Sequence, residues 1–211
     1  MRLAQALSVD ASHAGASRVD ALSQRDSLDS RVSDADLLAR IAGGNRTALA
    51  DLYQRHQRPL FRYLCQLTPD RGLAEEILQD TLVAAWRGAG GFEGRSAVRT
   101  WLFAIARRQA HDAFRRRGLP MADDDALNAI EDPNPGPEQQ ALQQDDAEEL
   151  MRAIAQLALI HREVLVLNFV DGLTYEEMAL VAGVPLGTVK SRLSNAKRAL
   201  REVLRASRGA R

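Results

Sequence analysis

Two blocks of apolar residues at helical spacing flank a stretch, residues 118 to 147, that holds four of the seven prolines, the run PNPGP and no Lys or Arg. A segment so acidic and so poor in large apolar side chains cannot contribute to a core. The blocks on either side must therefore fold as helices around cores of their own. No run of β-branched residues alternates with period two. With 45% hydrophobic but only 5% aromatic residues, the composition suits small helical bundles. The expected fold is all-α: two small helical domains, residues 33–117 and 148–208, joined by an acidic, Pro-rich linker at 118–147. Residues 1–32, rich in Ala, Ser and Asp, read as a disordered tail.

Within the first block, Ser33 is positioned to cap a helix through Leu37, Leu38 and Ile41 that stops at Gly43-Gly44. Asn45 caps the next helix, whose apolar side runs from Leu49 to Leu64, and Pro59 predicts a kink or a split in it. TPDRG, residues 68–72, is a turn. The following helix carries Ile77, Leu78, Leu82 and Trp86 on its apolar face. On another face stand Glu76, Gln79, Asp80 and Val83, at i, i+3, i+4 and i+7. A Gly-rich loop, residues 88–96, leads to a fourth helix from about Ser96 to Arg117. In the second block, helices resume near Asp146 with Leu150, Ile154, Leu157, Val164, Leu165, Leu167 and Phe169 as their apolar residues. After a DGLT turn, Thr174 and Glu177 form a capping box for a short helix ending at Gly183.

Charge is balanced overall, 28 basic against 28 acidic residues, but it is segregated along the chain. Residues 95–117 hold seven Arg and one Asp, residues 118–149 ten acidic residues, and residues 185–211 eight basic residues and one Glu. Two basic segments around an acidic tether point to a polyanionic partner. The last basic segment follows a short helix and a Gly-containing turn, which is a helix-turn-helix pattern. Val189, Leu193, Ala196 and Leu200 share one arc and predict packing on Tyr175, Met178 and Val181. The opposite arc holds Ser191, Ser194, Asn195 and Arg198, flanked by Lys190, Lys197 and Arg201, donors suited to base edges and phosphates. A solvated helical hairpin with a basic face would give the same spacing.

The fourth helix of the first block suggests a different chemistry. Arg95, Arg99, Arg107 and Arg108 lie along it, and Phe92 and Trp101 stand beside the Gly-rich loop. Cations with aromatics suit single-stranded nucleic acid, with core packing the competing reading for Trp101. Catalysis has no foothold: the four His are scattered, no Cys/His metal spacing or phosphate loop occurs, and neither cofactor nor metal is expected. His56 reads as a packed core histidine and Cys65, the single cysteine, as a small apolar residue. No stretch approaches the roughly 18 apolar residues of a membrane span, and the N-terminus lacks a signal core, so a cytosolic protein is expected.

DADLLARIAGGNRTALADLYQRHQRPLFRYL, AEEILQDTLVAAW, FEGRSAVRTWLFAIARRQAHD and DGLTYEEMALVAGVPLGTVKSRLSNAKRAL, in this order, closely resemble an extracytoplasmic-function (ECF) sigma factor of bacterial RNA polymerase. The resemblance spans residues 33–117 and 148–205. It implies a non-enzymatic subunit that directs core polymerase to −10/−35 promoters. Glu76, Gln79, Asp80 and Val83 match the segment that docks on the beta-prime subunit of a core comprising beta and beta-prime. Phe92, Arg95, Ser96, Trp101, Arg107 and Arg108 fall in the part that captures an unpaired base of the −10 element. Thr188, Lys190, Ser191, Arg192, Ser194, Asn195, Lys197 and Arg198 fall in the helix that reads the −35 duplex. The linker would follow a basic path through the RNA exit region. Members of the family are commonly held inactive by an anti-sigma factor. Two residues depart from the pattern: Arg108 replaces a frequent Asn and Asn195 a frequent Arg. A helix-turn-helix regulator acting without polymerase is the alternative. It gives no role to the first domain's loop and polar face.

Overall fold

The computed structural model describes residues 32–119 and 144–209, and every regular element among them is helical. The expected tail and linker lie, apart from their edges, outside the described residues. Four helices form the first half: α1 (Asp34–Ala42), α2 (Arg46–Leu67), α3 (Arg71–Gly88) and α4 (Val98–Arg116). The second half contains α5 (Gln144–Ala155), α6 (Leu159–Leu165), a π turn over Val166–Val170, α7 (Tyr175–Ala182) and α8 (Leu186–Gly209).

Local chemistry sets most of these boundaries. The Ser33 hydroxyl accepts from Asp36 N at 3.1 Å, and the Asp36 carboxylate accepts from Ser33 N at 3.3 Å, closing a capping box on α1. Asn45 Oδ1 accepts from Ala48 N and Asp70 Oδ1 from Leu73 N, each at 3.1 Å, to start α2 and α3. α4 begins at Val98 with Ala97 as its N-cap; the Ser96 hydroxyl donates instead to the Ala97 carbonyl. The expected split at Pro59 does not occur: α2 is one helix across it. The proline forfeits one backbone hydrogen bond. Leu52 on one side of it and Leu60, Tyr63 and Leu64 on the other are buried in the same core cluster, which holds the helix through.

α3 and α4 pack on each other and on α2, which places Leu37, Leu60, Leu64, Ile77, Leu102 and Phe103 at the centre of the first half. In the second half, Ile154, Leu165, Leu167, Met178, Val189 and Leu193 are buried. Phe169, expected to face inward, is 53% exposed, with Lys197 Nζ 5.5 Å above its ring. The two halves also touch: α4 packs on α7 and α2 on α6, and the buried residues of both join in one continuous cluster. No described helix is long and apolar enough to cross a membrane.

Candidate nucleic-acid interface

The helix-turn-helix geometry is built by α7 and α8. Thr174 Oγ1 accepts from Glu177 N at 3.2 Å and Glu177 Oε2 accepts from Thr174 N at 2.9 Å. The bond from Thr174 N, foremost among the groups around it, holds the Glu177 carboxyl below its usual range. α7 ends at Gly183, whose φ of 67° lies in the left-handed region that glycine enters at little cost. The chain then turns into α8. Val189, Leu193 and Ala196 are buried, with Leu200 half-buried, and face the buried Met178 and Val181.

Lys190, Arg198 and Arg201 on α8 are exposed, and Thr188, Ser191, Ser194 and Lys197 are half-buried. Asn195, expected on the groove-facing arc, and Arg192, which the resemblance placed among the −35 contacts, are buried, at 5% and 2% exposure. α8 packs on α5 and α6 as well as α7, which widens its covered arc beyond the one seam that a single partner helix would cover. Asn195 acts at one remove: its Oδ1 accepts from Arg198 Nη2 at 3.0 Å and sets the direction of that guanidinium. Ser191 donates its hydroxyl to the Thr188 carbonyl at 3.0 Å.

In the first half, Phe92 packs edge-on against Trp101, ring centroids 5.4 Å apart, and both rings are half-buried at the end of the Gly-rich loop. Arg95 is exposed and paired with Glu93, and Arg108 is exposed on α4. Arg107 faces elsewhere than expected. Its Nε lies 2.8 Å from Glu163 Oε1 and its Nη1 donates to the Ala182 carbonyl at 3.3 Å, both in the second half. On α3, Glu76, Gln79 and Val83 are exposed and Asp80 is partly so. Arg117 Nη2 pairs with Glu76 at 2.6 Å and Arg116 with Asp80 at 3.9 Å, so the end of α4 neutralises this acidic face.

The contact between the halves was not legible in the sequence. Glu163 is 2% exposed, and its Oε1 accepts from the Tyr63 hydroxyl at 2.9 Å and lies 3.4 Å from His111 Nε2. Burial pushes its carboxyl up, but His111, Arg107 and Tyr63 together outweigh burial and hold it below the usual range. The same burial, with the negative Glu163 beside it, drives the Tyr63 phenol well above its ordinary value. Asp171 accepts from Arg62 Nη2 at 2.7 Å, its backbone carbonyl accepts from Arg99, and burial keeps its carboxyl raised despite these cations. Thr100 donates to Glu177 Oε1 at 3.0 Å. Glu163, directly before the apolar run VLVL, was a local sign that something polar waits in the core.

A basic helix-turn-helix on one module and a basic helix with an aromatic loop on the other define a class of nucleic-acid-directed transcription proteins. The comparisons identify which. The profile of Sigma-70 region 2 matches residues 52–119, and that of Sigma-70 region 4 matches residues 147–200. The chain is 36% identical to the ECF RNA polymerase sigma factor SigM of Mycobacterium tuberculosis, over 82% of its own length and 85% of that protein's. It is 30% identical to the RNA polymerase sigma-H factor of Pseudomonas aeruginosa, over 81% and 93%. Two solved structures are similar. CnrH in complex with the cytosolic domain of CnrY has a TM-score of 0.60 at 26% identity, covering 82% of this chain and 97% of that one. The sigma factor RpoE in complex with the anti-sigma factor NepR from Bartonella quintana has a TM-score of 0.55 at 31% identity, covering 72% and 94%. This chain belongs to the ECF sigma factors of the sigma-70 family.

Proposed function

We propose that this sigma factor works in the bacterial cytoplasm as a promoter-specificity subunit divided along its two halves. α3 docks on the beta-prime subunit of core polymerase through Glu76, Gln79, Asp80 and Val83. The loop bearing Phe92, Arg95 and Ser96, with Trp101, Arg107 and Arg108 of α4, holds the unpaired −10 strand. α8 enters the −35 major groove, with Lys190, Lys197 and Arg198 on phosphates and Thr188, Ser191 and Ser194 toward base edges. Arg192 and Asn195 support that surface from beneath. The proposed units are residues 33–117 and 148–208. The observation that carries the reading is the exposed Lys190, Arg198 and Arg201 on a helix that a capped neighbour and the Gly183 turn hold in place. Resemblance to the sigma factor RpoE, solved with the anti-sigma factor NepR, supports an anti-sigma partner.

Transcription in vitro with core polymerase, with and without this protein, on a library of promoter fragments tests the assignment. Protein-dependent transcripts with a shared −10 and −35 spacing are expected. No transcripts, with retention of duplex DNA by the free chain, would refute it in favour of a regulator that acts alone.

A further inference from the structure

We infer that α8 carries a second phosphate-binding surface outside the −35 element: Arg201 and Arg205, on the part of the helix that continues past its DNA-reading turns, hold the backbone of the flanking duplex without reading its bases. The inference rests on the function proposed above for α8 and extends it along the helix. The region 4 match ends at residue 200, but α8 runs on to Gly209. At about 100° per residue, Lys190, Lys197, Arg198, Arg201 and Arg205 fall within an arc of about 100°. Arg201 and Arg205 are exposed, as are Lys190 and Arg198. Glu202, the single acid in residues 185–211, stands at the edge of the arc.

Length, rigidity and charge all suit this role. From Lys190 to Arg205 the stripe is about 22 Å long, at about 1.5 Å per residue. The major groove is about 12 Å wide. A helix whose first turns enter the groove carries the last of these cations to its rim and beyond, where phosphates and not base edges are within reach. Leu200 and Val203 pack against the core cluster, so the extension is a fixed platform rather than a fraying end. Lys197, Arg201 and Arg205 follow one another at i, i+4, and like charges at that spacing repel on a helix surface. Neither Arg201 nor Arg205 forms an ion pair among the described residues. A polyanion alongside relieves the repulsion, and duplex DNA supplies one negative charge per about 1.7 Å of its axis. The stripe is continuous with Lys190, Lys197 and Arg198, so the duplex already proposed to lie against them is the polyanion within reach.

The test uses the full chain assembled with core polymerase on a promoter fragment, comparing wild type with Arg201→Ala/Arg205→Ala and the charge-keeping Arg201→Lys/Arg205→Lys. Alanine is the strongest helix former, so the first variant keeps α8 intact, which circular dichroism checks. It is expected to lower the slope of log affinity against log salt by about 1.8, from two contacts of about 0.9 each. The wild-type advantage then grows about 3.5-fold for each halving of the salt concentration. The Lys variant should restore it. Replacing the −35 bases should leave the advantage unchanged, whereas uncharged methylphosphonates in place of phosphates beside the element should reduce it. Equal salt slopes for wild type and the Ala variant would overturn the inference. An advantage that no methylphosphonate reduces would overturn it in favour of an acidic protein surface on polymerase, and one that vanishes with the −35 bases would make the two arginines base readers. A wild-type chain that forms no promoter complex at all would sink the sigma reading and the inference together, while equal slopes in complexes that do form sink the inference alone.

Discussion

Arg107 of α4 and Glu163 of α6 meet at 2.8 Å, and the two side chains are only 15% and 3% exposed. Neither belongs to the same half of the chain, so this pair exists only when both halves are folded and touching. In this structure a residue assigned to the −10 strand is engaged by the other half.

Removing the Glu163 charge leaves Arg107 and His111 without their counter-ion. Glu163→Gln should cost about 3 kcal/mol at neutral pH, the low end for breaking a buried pair. The sign with pH follows from the lowered carboxyl. The contribution of Glu163 is complete above the unfolded value of about 4.3 and disappears as pH falls through the lower folded value. Asp171, raised by burial, has the opposite sign: folding favours its protonated form, so acid relieves it. Urea unfolding of both proteins should therefore give a gap that narrows on acidification below about pH 4. A gap independent of pH would contradict this account.

On α8, Lys190→Ala and Arg198→Ala should each weaken initiation at −35-dependent promoters. Each lost phosphate contact should lower the slope of log affinity against log salt by about 0.9. Unchanged transcription in both variants would remove α8 from DNA recognition. Asn195→Ala should mimic a mild Arg198 defect, because the Asn195 oxygen orients that guanidinium.

Asp80→Arg should abolish co-purification with core polymerase while leaving the melting temperature within a few degrees of wild type. Asp80 sits at the surface of α3, and its Arg116 partner is 3.9 Å away. An exposed pair of that kind contributes about 0–1 kcal/mol. Recovery of the variant with core at the wild-type yield would show that α3 is not the docking face.

Gly183→Ala should destabilise the protein by about 1–2 kcal/mol, the cost of placing a Cβ in the left-handed region. A Cβ there would meet nothing within 4 Å, so the penalty is conformational rather than steric. Thermal unfolding read at α7 and α8 checks it, and a neutral substitution would mean that the turn relaxes.

Elements whose signals are local were legible in advance. Ser33, Asn45 and the Thr174–Glu177 pair cap helices because hydroxyl, carboxamide and carboxylate oxygens find unpaired N–H groups within three residues. The apolar arc of α8 was legible for the same reason. Its width was not: a helical wheel assumes one partner, and Arg192 and Asn195 are covered because α5 and α6 also close on that helix. Pro59 does not split its helix, because the cost of its missing hydrogen bond is a local quantity while the packing that offsets it is not.

Residue spacing and charge order alone determined that the chain is helical, that it has two modules and that two of its segments are basic. Those properties arise from neighbours three or four positions apart and from composition. Tertiary structure alone decided which of the basic side chains face solvent and which are held by the other half. Arg107 and Arg108 are adjacent and identical in kind, yet one is tied to Glu163 and the other is exposed. The difference is a 100° rotation about α4 combined with the position of a helix from the far end of the chain. No local pattern encodes that contact, because its energy comes from desolvation and pairing between residues that meet only on folding.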